Sequence, residues 1–160
     1  MTARPDPVQP ADDAARALAR KLLTLGHAAL AWTDPDTGNP GISRISFARD
    51  PEAGLLTLIS GLAPHFRALR ANPACAVMLG EVGDKGDPLT HPRLMIQARA
   101  TFVAPDDPAR PSLRDRWLLR NPKATVYVEL PDFAFVRLTP VSALLNGGFG
   151  RAHRINAADL

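Results

Sequence analysis

Between Ser43 and Pro73 the chain reads SRISFARDPEAGLLTLISGLAPHFRALRANP, a run that carries several groups able to hold an anion. Arg44, Ser46, Arg49, Ser60, His65 and Arg67 fall on two strand-like segments and the helix-like segment after them. An arginine fork, hydroxyls, a histidine and the free N–H groups of a helix start are what a phosphate monoester needs for charge-assisted hydrogen bonding. A period of two sets Ile45 and Phe47 on one face and Arg44 and Ser46 on the other, with Ser60 ending the neighbouring strand. Arg49 shares the parity of the core residues, so it reaches such a site only if its strand curls or bulges at the end. A solvated edge with scattered charges is the competing reading of the same residues.

Other chemistries find little support. There is no phosphate loop of the GxxxxGKS type, no HExxH, no strand-helix GxGxxG and no GxSxG elbow. The GGFG at Gly147 to Gly150 reads either as a bend where Cβ atoms would clash or as a ligand-facing loop. Four separated histidines and one cysteine, Cys75, make no metal-binding pattern, and Cys75 reads as a buried strand residue.

The elements that must position these residues follow from periodicity and turn signals. The first ten residues, with Pro5, Pro7 and Pro10, predict a loose arm. A helix follows, with Asp12 and Asp13 at its start, Ala15, Leu18, Leu22 and Leu25 on one stripe, and Gly26 at its stop. Strands are expected over 27–33, 41–49, 55–60, 75–80 and 93–103, the third of them carrying a nearly continuous apolar run that suggests burial on both faces. Pro64 to Ala71 reads as a short helix and Val82 to His91 as a mobile loop. Ser112 and Asp115 suggest a capping box for a helix through Arg120. The piece ATVYVEL from Ala124 to Leu130 has strand propensity, and Phe133 to Leu145 alternates like an edge strand interrupted at Pro140.

A chain of 160 residues with 46% hydrophobic content can bury one ordinary core, and a single domain over 1–160 is expected. About six strands with helices at intervals predict a mainly β fold with α additions, an antiparallel barrel. The net charge of +3 comes from 19 basic and 16 acidic residues that are interspersed, which argues against a nucleic-acid face. No apolar run approaches the roughly 20 residues of a membrane span, and the N-terminus has no secretory pattern, so the cytoplasm is the expected compartment.

The order RISFARD, turn, GLLTLIS, APHFRALRANP and ACAVML resembles the core of the pyridoxamine 5'-phosphate oxidase-like flavoproteins. SGLAPH at Ser60 to His65 and GGFGRA at Gly147 to Ala152 resemble the haem-utilisation-like branch more closely. The resemblance covers roughly Leu18 to Ile155. It implies a six-stranded FMN-binding split barrel, a homodimer, and a flavin in the cleft between subunits. It also implies that Arg44, Arg49, Ser60 and His65 hold the FMN phosphate, with Ile45 and Ile59 offering backbone to the flavin and Ser46 beside them, and it favours a short helix over 124–130. Phe66 stands where the branch commonly has a small hydroxyl residue, and Pro64 where the true oxidases have a second basic residue. Three functions are expected in turn: an FMN-dependent oxidoreductase of unknown substrate, a haem-binding or haem-degrading protein with His153 or His91 as ligand, and a non-catalytic flavin-binding module.

Overall fold

A computed structural model describes residues 6–160; the beginning of the expected N-terminal arm lies outside the described residues. The elements run β1 (Val8–Pro10), α1 (Asp13–Leu22), β2 (His27–Thr33), β3 (Pro40–Ser46), β4 (Ala48–Asp50), β5 (Gly54–Ser60), α2 (Pro64–Ala71), β6 (Ala74–Leu79), β7 (Arg93–Phe102), α3 (Arg110–Arg120), β8 (Phe133–Asn146) and β9 (Ala152–Ile155). The fold is mainly β, with three α-helices laid against the sheet. Pairing runs β2 to β3, across the break at Phe47 to β4, then β5, β8, β7, β6 and back to β2. If β3 and β4 count as one strand, that circuit has six members, all antiparallel, and it is split where Phe47 leaves the ladder.

The chain adds two short strands to the expected six. β9 extends the sheet beyond β8, and β1 pairs with β9 in parallel. Residues 8–10, expected as part of a loose arm, are therefore held at a sheet edge, where a terminal proline costs no ladder bond.

Local chemistry accounts for the helix ends. The Asp12 carboxylate accepts from Ala15 N at 2.7 Å and caps α1. Helix α3 begins two residues before the expected Ser112, with Pro111 in its first turn, and the Ser112 hydroxyl donates to Ala109 O instead of capping. Proline's fixed φ favours the first turn, which moves the start upstream of the hydroxyl. ATVYVEL is not a strand: a 3-10 helix covers Pro122–Val126 and a turn follows.

β8 corrects the edge-strand expectation, because it is the central strand of the molecule, paired with β5, β7 and β9. Pro140 is tolerated because the register shifts between Gln97 and Ala98, so the missing N–H falls at a bulge around Val141.

Two apolar cores sit on either side of β5 and β8. The larger fills the barrel and includes Leu30, Ile45, Ile59, Val77, Ile96 and Leu138. The smaller lies under α3, where Trp117 and Leu113 meet Leu56, Leu58 and Phe135. Leu55 and Ile59 face one core and Leu56 and Leu58 the other, which explains the apolar run of β5, interrupted only by the buried Thr57.

Candidate functional site

Pairing register sets which residues share the outer face of the sheet, because directly opposed residues point the same way. Leu30, Val77, Ile96 and Ala143 form one inward row. The flanking outward rows are Arg44, Ala29, Met78, Met95 and Leu144, and Ile42, Ala31, Ala76, Gln97 and Ser142. An outward face on a one-sided sheet is normally polar. Here seven of the ten residues in these rows are apolar, with Ile42 77% and Met78 47% exposed, and Arg44, Gln97 and Ser142 are the polar ones.

At one end of this face lies a hollow of about 290 Å³ bounded by His27, Ile42, Arg44, Met78 and Gly80. His27 opposes Ser46 across β2 and β3, so it stands diagonal to Arg44. Its Nε2 lies 3.5 Å from a carboxylate oxygen of Glu81. Arg44 is exposed and forms no ion pair with any described residue, whereas Arg67 is held by a bidentate bond to Asp36 at 2.7 and 2.6 Å.

The residues singled out from the sequence distribute as follows. Arg44 and Ser46 lie on the outer face, and the Ser46 carbonyl accepts from the Thr57 hydroxyl at 2.6 Å. Ile45 and Ile59 are core residues, 4% and 3% exposed. The Ser60 hydroxyl donates to Asp132 at 2.9 Å and accepts from Leu62 N at 3.1 Å. His65, in the first turn of α2, is buried; its Nδ1 has no partner among the described residues, and burial pushes its pKa below the ordinary 6.5. Arg49 does follow a strand break, but it lines a separate hollow with Arg20 and Arg120, and its guanidinium donates to Leu160 O at 3.0 Å. Within one chain, then, Arg44 and Arg49 border different hollows.

Sequence reasoning did not single out His27, Met78, Glu81 or Asp132. For the first two a signal existed: the outward positions of HAALAWT and ACAVML carry small or apolar residues where alternation should place polar ones. For Glu81 and Asp132, which lie in loops, no periodicity could have placed them. His153 takes part in β9 with its Nδ1 at Pro10 O, and both ring nitrogens of His91 are engaged, by Gly83 N and Lys85 O. In the GGFG bend, Gly148 and Gly150 have φ of 126° and 69°, values only glycine adopts freely, and Phe149 between them is 94% exposed.

No family model matches the chain. The chain is 30% identical to the heme oxygenase HutZ of Vibrio cholerae over 125 residues, which is 77% of this chain and 70% of that one. It is 33% identical to the non-canonical, chloroplastic heme oxygenase HOZ of Arabidopsis thaliana over 103 residues, 64% of this chain but only 30% of the plant protein. Among solved structures, Atu2129 of Agrobacterium tumefaciens, a protein of unknown function, matches with a TM-score of 0.80 at 34% identity over 99% of this chain and 65% of that one. An FAD-binding protein of Mesorhizobium loti shares the fold, with a TM-score of 0.62 at 19% identity over 79% of this chain and 89% of its own. The strand circuit, the SGLAPH and GGFGRA segments and these relatives agree, and the chain belongs to the haem-utilisation branch of the pyridoxamine 5'-phosphate oxidase-like split-barrel superfamily.

Proposed function

We propose that this protein binds haem in a cleft between two copies of itself and takes part in the oxidative breakdown of that haem in the cytosol. One observation carries the reading: a largely apolar outer face, partly open to solvent, in which Arg44 stands without a carboxylate partner among the described residues. A porphyrin is a broad apolar plane with carboxylates on one edge. The alanine and methionine rows suit the plane, and a guanidinium suits the carboxylates. Exposed apolar side chains grouped in one patch mark an interaction surface, and a second copy over Ile42, Met78 and Val141 would close the cleft. A histidine at the rim, His27, gives the site a group able to address a metal. The Vibrio cholerae and Arabidopsis thaliana relatives, 30% and 33% identical, are both named heme oxygenases, which supports the same reading. Bound haem would supply the oxygen chemistry; the chain's residues would hold the ring, orient it and keep water from it.

A second reading is an FMN-dependent oxidoreductase with the flavin in the same inter-subunit cleft and its substrate unassigned. His65 favours it, because its buried, unpartnered Nδ1 lies in the first turn of α2, where free N–H groups attract phosphate. The carboxylate of Asp132 already bonded to Ser60 weighs against it, since like charge opposes a phosphate dianion.

The absorption spectrum of freshly purified protein, before and after haem is added, separates the two. A Soret band together with a dimeric mass is expected. A flavin band that survives gel filtration and is lost in Arg44→Ala would promote the second reading. Colourless protein that takes up neither ligand overturns both, and bound flavin that accepts no electrons from a nicotinamide donor leaves a non-catalytic binding module.

A further inference from the structure

We propose that the hollow between the ends of α1 and α3 is a binding site for a diphosphate-bearing small molecule, separate from the Arg44 face and independent of the haem reading. The hollow has a volume of about 980 Å³, and arginines from three elements wall it: Arg20 in the last turn of α1, Arg49 in β4 and Arg120 at the end of α3. All three are exposed, and none forms an ion pair with an aspartate or glutamate among the described residues. Arg120 Nη1 donates to Arg49 O, which ties α3 to β4, and Arg49 Nη2 donates to Leu160 O at 3.0 Å. Most of their N–H groups are left free to meet an anion.

The acids in the wall do not cancel this charge. Asp50 is closed off by bonds from Arg116, Ala53 N and Glu52 N, and Glu52 lies 3.2 Å from Arg116 Nη1. Arg20 and Arg120 also suit the helix ends on which they stand, but each C-terminus carries only about half a negative charge. With Arg116 included, four guanidiniums stand against two carboxylates and two such ends, so the hollow stays positive and concentrates anions. A single phosphate has too few oxygens to serve three bidentate forks, whereas a diphosphate can engage all of them. Leu25 and Pro51 offer the organic part of such a ligand an apolar wall. The hollow is also remote from Ser60 and the start of α2. Arg49 opposes Leu55 near the start of β5, while Ser60 ends that strand; at about 3.3 Å per residue the two lie roughly 17 Å apart.

The test is isothermal titration calorimetry of the full chain with inorganic diphosphate and with ADP, at low salt and at about 0.15 M salt. Both probes are expected to bind, and more weakly at the higher salt. Tighter binding of ADP identifies a nucleotide as the ligand, and equal affinity identifies the diphosphate group itself. Arg20→Gln and Arg120→Gln should each lower the affinity about tenfold, the loss of one hydrogen bond to a charged group. Their melting temperatures without ligand should move by no more than about 2 °C, as for an ordinary surface substitution. Arg20→Lys keeps the charge without the fork and should bind with intermediate affinity. Arg67→Gln, outside the hollow, should leave binding unchanged. The inference is overturned if neither probe binds the wild type, or if Arg20→Gln and Arg120→Gln bind as the wild type does. Loss of binding in Arg44→Gln but not in those two variants overturns it as well, because the anion would then sit on the outer face.

Discussion

Arg116 and Arg44 belong to the same barrel, yet the chain handles them in opposite ways. Arg116, on α3, reaches Asp50 with Nε to Oδ2 at 2.7 Å and Nη2 to Oδ1 at 3.1 Å, and a third nitrogen reaches Glu52 at 3.2 Å. Asp50 Oδ1 also accepts from Ala53 N at 2.7 Å and Glu52 N at 2.9 Å, so this carboxylate is saturated inside the chain. Beneath it Trp117 and Phe135 meet edge to face, with centroids 5.7 Å apart. Arg44, in β3, has no such partner among the described residues, and the apolar residues in its rows face outward. The α3 side pairs Arg116 with Asp50 and Glu52 internally, although the buried Trp117 Nε1 has no hydrogen-bond partner among the described residues. The Arg44 face leaves charge and apolar area unmatched, which is how a surface built for something outside the chain differs from one built for stability.

Substitutions can break that contrast. The largest stability loss is expected for Trp117→Ala, about 3–5 kcal/mol in urea unfolding, because the indole is 2% exposed and its removal leaves a cavity in the smaller core. A loss near zero would show that the α3 side is not the structural one.

Asp50→Asn comes next, with an expected cost of about 1–3 kcal/mol from polar groups left badly paired. Burial raises the Asp50 pKa, but the bond from Arg116 and the two backbone N–H groups outweigh it and hold the carboxyl below 3.8. A depressed pKa contributes stability that is full above the unfolded value and is lost as pH falls through the folded value. Melting temperature against pH should therefore drop in strong acid, and less steeply in the variant.

Arg44→Ala should do the reverse of both. Its unfolding free energy stays within about 0.5 kcal/mol of wild type, while haem affinity falls about tenfold, the effect of one charge-assisted contact. An unfolding midpoint that moves as far as in Asp50→Asn would erase the distinction between the two regions.

The smallest effect is expected at His65. Burial lowers its pKa, so the unfolded chain takes up the proton first, and stability is lost as pH falls below the ordinary 6.5. His65→Asn should flatten that part of the melting curve. Bound ligand should flatten it as well if His65 gains an anionic partner.

Much of the architecture was legible because it depends on short-range rules. Strand β2 and helix α2 run over the residues their periodicity and punctuation predict, His27–Thr33 and Pro64–Ala71. The two-faced burial of β5 was readable from its nearly continuous apolar run. The failures involve partners far away in the chain. Pro140 argued for an edge, but a bulge opposite Gln97 and Ala98 lets β8 run through the centre. Residues 8–10 looked loose because their partner, β9, begins more than 140 residues later. Ser112 looked like a cap, but the proline beside it pulled the helix start upstream.

Residue order alone decided the strand pattern, the turn positions and the parity that places Arg44 opposite Ile45, because alternation and backbone restrictions act between neighbours along the chain. Tertiary structure decided which faces meet. It put His27 diagonal to Arg44, gave Asp132 to Ser60 and Asp36 to Arg67, and sent Arg49 to a different hollow. Those outcomes depend on strand register and loop closure between distant segments, and no local pattern encodes the distance between two side chains that meet only when the barrel closes.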